Sequence, residues 1–154
     1  MTTNLETEVD IALPAPGLPG IVEEREVVLL RPLIGFPDLT RFALRDLGPG
    51  YAPYQLLVSL DQPGLQFIVV PPGRLFSDYV IEIPDADVTA MALETPEHTE
   101  VLTLVTRRAS SSPTVNLLGP LVFNRCTGFG AQVVLQDSDY RVAVPIDATS
   151  ASAE

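Results

Sequence analysis

Proline interrupts this chain from one end to the other. Fifteen prolines and ten glycines are spread over 154 residues, and each proline removes a backbone donor and blocks a helix interior. Coiled coils and long-helix bundles need extended proline-free stretches rich in charged helix formers, yet only 19% of these residues are charged. Between the interruptions lie short apolar runs. Val27 to Leu30 stops at Arg31-Pro32, Gln55 to Leu60 at Asp61-Gln62-Pro63-Gly64, Leu65 to Val70 at Pro71-Pro72-Gly73, and Val80 to Ile83 at Pro84. Val101 to Thr106, Thr114 to Leu118, Leu121 to Phe123, Gln132 to Leu135 and Tyr140 to Val144 continue the pattern. These runs are rich in Val, Ile, Leu, Thr and Phe, side chains that pack well on a pleated surface. Several are apolar on both faces, as expected of a sheet that curls and covers itself. The expected fold is all-β-rich: a compact, mostly antiparallel β-barrel-like single domain with one or two short helices.

One helix is expected over Pro84 to Leu93, where Asp85 and Asp87 complement the positive end of the helix dipole and Pro96 bars continuation. Asp38 to Gly48 is ambiguous: Leu39, Phe42 and Ala43 fit one helical turn, while Phe42 and Leu44 share a strand face. Ser110 to Ser112 and Thr127 to Gly130 read as hairpin loops. The proline-rich start makes residues 1–20 a flexible extension, 21–147 the β domain and 148–154 a small-residue tail. With 46% hydrophobic residues and a mean hydropathy of +0.26 the chain has material for a real core.

The charge is lopsided. Twenty Asp and Glu face nine basic residues, all of them Arg, for a net charge of −11. Nucleic-acid binding needs a basic face and is disfavoured, as is an anionic membrane surface. A basic protein partner is permitted, although acidity also serves solubility alone. A single cysteine, Cys126, excludes an intramolecular disulfide. Glu6, Glu8 and Asp10 stand where a secretory leader would be positive, and no uncharged apolar run approaches the roughly 18 residues of a membrane helix. A cytoplasmic location is expected.

Catalytic patterns are sparse. His98 is the only histidine, so a multi-histidine metal site is not available, and no Gly-x-Ser-x-Gly elbow presents a nucleophile. Zinc lacks ligands. Asp85 and Asp87 lack the rest of a calcium loop, and Gly128-Phe129-Gly130 lacks the lysine of a phosphate loop. No cofactor, metal site or enzymatic activity is expected. A pair of carboxylates acting on a glycosidic bond is the one catalytic alternative left open.

Five blocks in order resemble the flagellar assembly factor FliW family. They are Leu33-Ile34-Gly35-Phe36-Pro37-Asp38-Leu39 with Phe42; Tyr54 to Val69 around Asp61-Gln62-Pro63-Gly64; Phe76-Ser77-Asp78-Tyr79 with Ile81 and Ile83; Thr114 to Asn124 with Asn116-Leu117-Leu118-Gly119-Pro120; and Gln132 to Leu135 with Tyr140 and Pro145-Ile146. The resemblance implies a β-barrel-like binding protein without catalysis. It implies that the chain binds the RNA-binding translational regulator CsrA and relieves its repression of flagellin synthesis, with flagellin as the competing partner. On this reading the acidity steers the chain toward a basic regulator and repels RNA. Asp61 and Asp78 are the acidic candidates for the partner surface, Phe67 and Tyr79 the apolar anchors, and Asn116 the polar contact. Each also has a structural reading: core burial for Phe67 and Tyr79, and a sharp strand exit for Asn116. The chain departs from the family pattern at Ala143, where an arginine is common and Arg141 stands two places earlier, and in a loop before Gln132 that lacks lysines. A β-barrel binding a small apolar ligand or another protein is the alternative.

Overall fold

The computed structural model describes residues 24–108, 111–136 and 138–146. The expected extension at 1–20, the tail at 148–154 and part of the Ser110 loop lie outside the described residues. Nine strands are described: β1 (Glu24–Leu29), β2 (Arg41–Asp46), β3 (Gln55–Ser59), β4 (Gln66–Val70), β5 (Thr99–Arg108), β6 (Ser111–Val115), β7 (Leu121–Asn124), β8 (Phe129–Gln132) and β9 (Val144–Pro145). Among the described residues one α-helix, α1, spans Asp85–Ala90.

Seven strands close a ring in the order β5-β4-β3-β2-β1-β8-β7 and back to β5. The length of β5 makes closure possible: its first half pairs with β7 (Thr99 with Asn124, Leu102 with Leu121) and its second half with β4 (Val105 with Ile68). The remaining strands, β6 and β9, extend the sheet beside it. Every pair is antiparallel except β1 with β8. The barrel-like, mostly antiparallel expectation therefore holds.

Side chains one residue apart in each strand point to opposite faces. Val27, Leu29, Phe42, Leu44, Leu57, Val69, Leu102, Leu121 and Phe123 alternate inward and form one buried cluster that fills the ring. The alternate positions are apolar too, because the outer surface is wrapped. Met91, which follows α1, packs over Val122, Ala131 and Val133, joined by Tyr79, Ile81 and Ile83. Val70, Val115, Leu117 and Ile146 form a third cluster, and Leu47, Leu56 and Ile68 a fourth. This covering explains the strand runs that are apolar on both faces.

Several local expectations are corrected. Val80 to Ile83 carries a strand-like sequence but pairs with no strand among the described residues. Asp38 to Gly48 resolves as strand β2 from Arg41, since pairing with both β1 and β3 outweighs one helical turn. The helix expected over Pro84 to Leu93 stops at Ala90, and Ala92 takes a positive φ of 54°. Strand pairing near Gln132 lies before it, at Phe129–Gln132, instead of over Gln132 to Leu135. Thr127 and Gly128 belong to a turn, but Gly130 is in β8. A Cβ on Gly130 would stand 2.3 Å from the Phe123 ring and 2.5 Å from the Val122 carbonyl oxygen. Glycine is needed there for space, not for a turn.

Candidate functional site

A groove of about 1220 Å³ lies between two segments that cross the outside of the barrel, 80–85 and 134–140. Its floor includes Ile83 and Leu135, and its rims carry the exposed apolar side chains of Val80 and Val134. Among the described residues, Glu82, Asp85 and Asp139 supply the charge and no arginine lines it. A neighbouring groove of about 440 Å³, lined by Ile81, Val88, Leu93 and Val101, lies on the other side of the same segment.

Two aromatic residues set the position of the first wall. The Tyr79 hydroxyl donates to the carbonyl of Leu117 at 2.6 Å, and its ring meets Tyr140 at 4.6 Å between centroids. Desolvation of the half-buried phenol, reinforced by Tyr140, pushes the Tyr79 pKa upward. The Tyr140 hydroxyl in turn accepts the Val80 amide at 2.9 Å, which ties the two walls together at one end. Asn116 lies outside the lining of the groove: its Oδ1 accepts from the amides of Leu118 and Gly119 at 3.1 and 2.9 Å, turning the chain out of β6 toward β7.

A clasp fixes the end of the groove formed by α1. Arg31 donates from Nη1 and Nη2 to the two carboxylate oxygens of Asp87 at 2.9 and 3.3 Å, and from Nη2 to the Gln132 carbonyl at 3.2 Å. Gln132 is buried; its Oε1 accepts from the Ile34 amide and its Nε2 donates to the Gly119 carbonyl. Asp87, read from sequence as a helix-start acid, is thus also a buried ion-pair partner. Only a contact between residues 56 apart in the chain could reveal that.

The five sequence candidates fall into two places. Asp78, Tyr79 and Asn116 gather beside the groove: Asp78 is exposed immediately before Tyr79, and Asn116 precedes the carbonyl that Tyr79 holds. Asp61 and Phe67 belong to the β3–β4 hairpin. The Asp61 carboxylate accepts the amides of Thr40 and Arg41 at 2.9 and 3.0 Å, and these bonds hold its pKa below the usual carboxylate range. Phe67 packs edge-to-face against Phe36 and Phe42 at 5.2 and 6.4 Å between centroids, joining the main core. Sequence reasoning missed Glu82 and Asp139. Their signal was present in the exposed alternate position of a strand-like run and in the acid next to the Tyr140 anchor.

No group of three or more metal-ligating side chains occurs among the described residues. Among them, too, no helix is long and apolar enough to cross a membrane. Cys126 is exposed in the turn between β7 and β8, and its amide donates to Asn124 Oδ1. The groove is open, apolar at its rims and negatively charged.

A family model described as "FliW protein" matches residues 10–146. The chain belongs to the FliW family. It is 36% identical over 138 residues to the flagellar assembly factor FliW of Natranaerobius thermophilus, covering 88% of this chain and 91% of that one. It is 31% identical to the protein of the same name from Bacillus subtilis, covering 93% and 90%. A crystal structure of the flagellar assembly factor FliW superposes with a TM-score of 0.71 at 24% identity, over 80% of this chain and 86% of that chain. The last comparison speaks to the fold, and it agrees with the FliW-like barrel described above.

Proposed function

We propose that this FliW-family chain is a regulatory binding protein of flagellum assembly. In this reading it binds the translational regulator CsrA, relieves the repression that CsrA imposes on flagellin synthesis, and exchanges CsrA for flagellin. It works in the cytoplasm and performs no catalysis. Family membership across residues 10–146 carries the proposal. The net charge of −11 supports it, because an acidic body is drawn to a basic RNA-binding partner and opposes RNA phosphates near it. The acidic groove flanked by Asp78 and Tyr79 is the proposed partner surface, with Asn116 as the turn that supports it. Asp61 and Phe67 are proposed to act at the hairpin, the first as a charge and the second by holding the local aromatic packing.

Partner exchange requires two complexes of several kcal/mol each that cannot form together. Titration calorimetry with purified CsrA and with purified flagellin tests this. Binding at micromolar concentration or tighter is expected for both, with flagellin displacing CsrA. Failure of both partners to bind at micromolar concentration would overturn the reading.

A further inference from the structure

Val80 to Ile83 has the sequence and the alternating burial of a strand but, among the described residues, no paired neighbour. Burial alternates along it: Val80 and Glu82 are exposed, while Ile81 and Ile83 are half-buried against the Met91 cluster. That is the period of two of a pleated segment with one covered face. Among the described residues, the Val80 amide is satisfied by Tyr140, but nothing hydrogen-bonds the amides or carbonyls of Ile81, Glu82 and Ile83. Unpaired backbone in an extended segment is a template for another strand. Edges are commonly blunted by lysine, proline or an inward charge; residues 80–83 carry no lysine and no proline, Glu82 is exposed, and Pro84 only ends the segment.

We propose that Val80 to Ile83 is a strand completed in trans, by an extended basic segment of a partner protein lying in the acidic groove. Main-chain hydrogen bonds to residues 81–83 supply the affinity. Alternate positively charged side chains meet Glu82, Asp85 and Asp139, and the intervening apolar ones meet Val80 and Val134. Charge selects the occupant. Residues 1–23 of the chain itself hold four carboxylates and no arginine, and residues 147–154 hold two carboxylates and no arginine. Their charge has the same sign as that of the groove, which favours a basic segment from outside the chain as its occupant. The inference rests on the reading of the chain as a protein-binding factor, and it locates that binding.

Amide hydrogen exchange on the full chain, alone and with saturating CsrA, is the test. The amides of Ile81, Glu82 and Ile83 are expected to exchange freely in the unbound protein and to slow at least tenfold in the complex. The double variant Glu82→Lys and Asp85→Lys, whose melting temperature verifies folding, should bind CsrA at least tenfold more weakly and with a shallower salt dependence. Binding of CsrA without protection at 81–83 would overturn this inference and leave the function standing. Protection already present in the free chain would also overturn it, since the segment would then be paired internally. If CsrA does not bind, the proposed function fails, and a synthetic peptide of alternating lysine and valine decides the inference alone. Protection by that peptide, and not by its glutamate counterpart, would uphold strand addition; absence of protection would reject it.

Discussion

Leu121 to Asn124 and Val80 to Ile83 are both four-residue runs with three apolar side chains each, and their fates differ completely. The first is strand β7, buried at all four positions and paired on one side with β5 and on the other with β8. The second lies on the outside of the barrel with one face against a satellite cluster, and its backbone at 81–83 has no partner among the described residues. The two runs share a local preference for extended backbone. Pairing distinguishes them, and it depends on what the rest of the chain places alongside. The lesson is that an apolar strand pattern reports conformation and a covered face, while hydrogen-bond partners are a property of the whole fold.

The contrast breaks most readily at the core. Phe123 is fully buried and its ring fills the space beside Gly130. Phe123→Ala should cost about 3–5 kcal/mol by transfer and cavity terms, whereas Ile83→Ala on the half-buried segment should cost about 1 kcal/mol from lost apolar area. Urea unfolding measures both. Equal losses would mean that Val80 to Ile83 is as integral to the barrel as β7.

A smaller effect sharpens the comparison at the wall of the groove. Tyr79→Phe removes the hydrogen bond to the Leu117 carbonyl and should cost about 1 kcal/mol. Because the folded-state pKa of Tyr79 lies above the unfolded value near 10, the unfolded chain releases that proton first as pH rises. Wild-type stability must therefore fall as pH increases beyond about 10, and the variant should show a shallower decline in the same window. Identical slopes would show that the phenol is not desolvated in solution.

The smallest expected effect is at the hairpin. The Asp61 carboxylate is solvent-exposed but accepts two amides at the start of β2, and its folded pKa is lowered. Its contribution is present above the ordinary value near 3.8 and is lost as pH falls through the lower folded value. Asp61→Asn should flatten the acid limb of the stability profile slightly and leave the profile near neutral pH almost unchanged. An acid limb identical to wild type would remove Asp61 as a lock on this hairpin.

Much of the barrel was legible because most strand runs announced themselves with β-branched residues, whereas β2 and β8, which contain none, were ambiguous or misplaced. The Asp61-Gln62-Pro63-Gly64 turn fell where it was expected between β3 and β4. Helix α1 was legible from Asp85 and Asp87, though its end was not: Met91 and Leu93 look helical in isolation, but both pack onto the barrel, Met91 fully buried in the cluster and Leu93 half-buried against it. Gly130 was misread as a turn residue since its real constraint, the ring of Phe123, comes from another strand. The groove was half legible. Asp78 and Tyr79 stand next to it in the chain, while Asp139 and Val134 reach it only through the fold.

By itself the sequence determined that this chain is a proline-punctuated β protein with a strongly acidic surface, poor in catalytic side chains and ordered in the blocks of the FliW family. Those properties are local or additive: strand preference, turn chemistry and net charge are summed along the chain without knowing who touches whom. Only the tertiary structure decided that β5 is shared between β4, β6 and β7 to close the ring, and that Arg31 clasps Asp87. It alone left the strand-like segment Val80 to Ile83 facing an acidic groove with no strand partner among the described residues. These are outcomes of long-range pairing, in which one edge can be satisfied only by leaving another open.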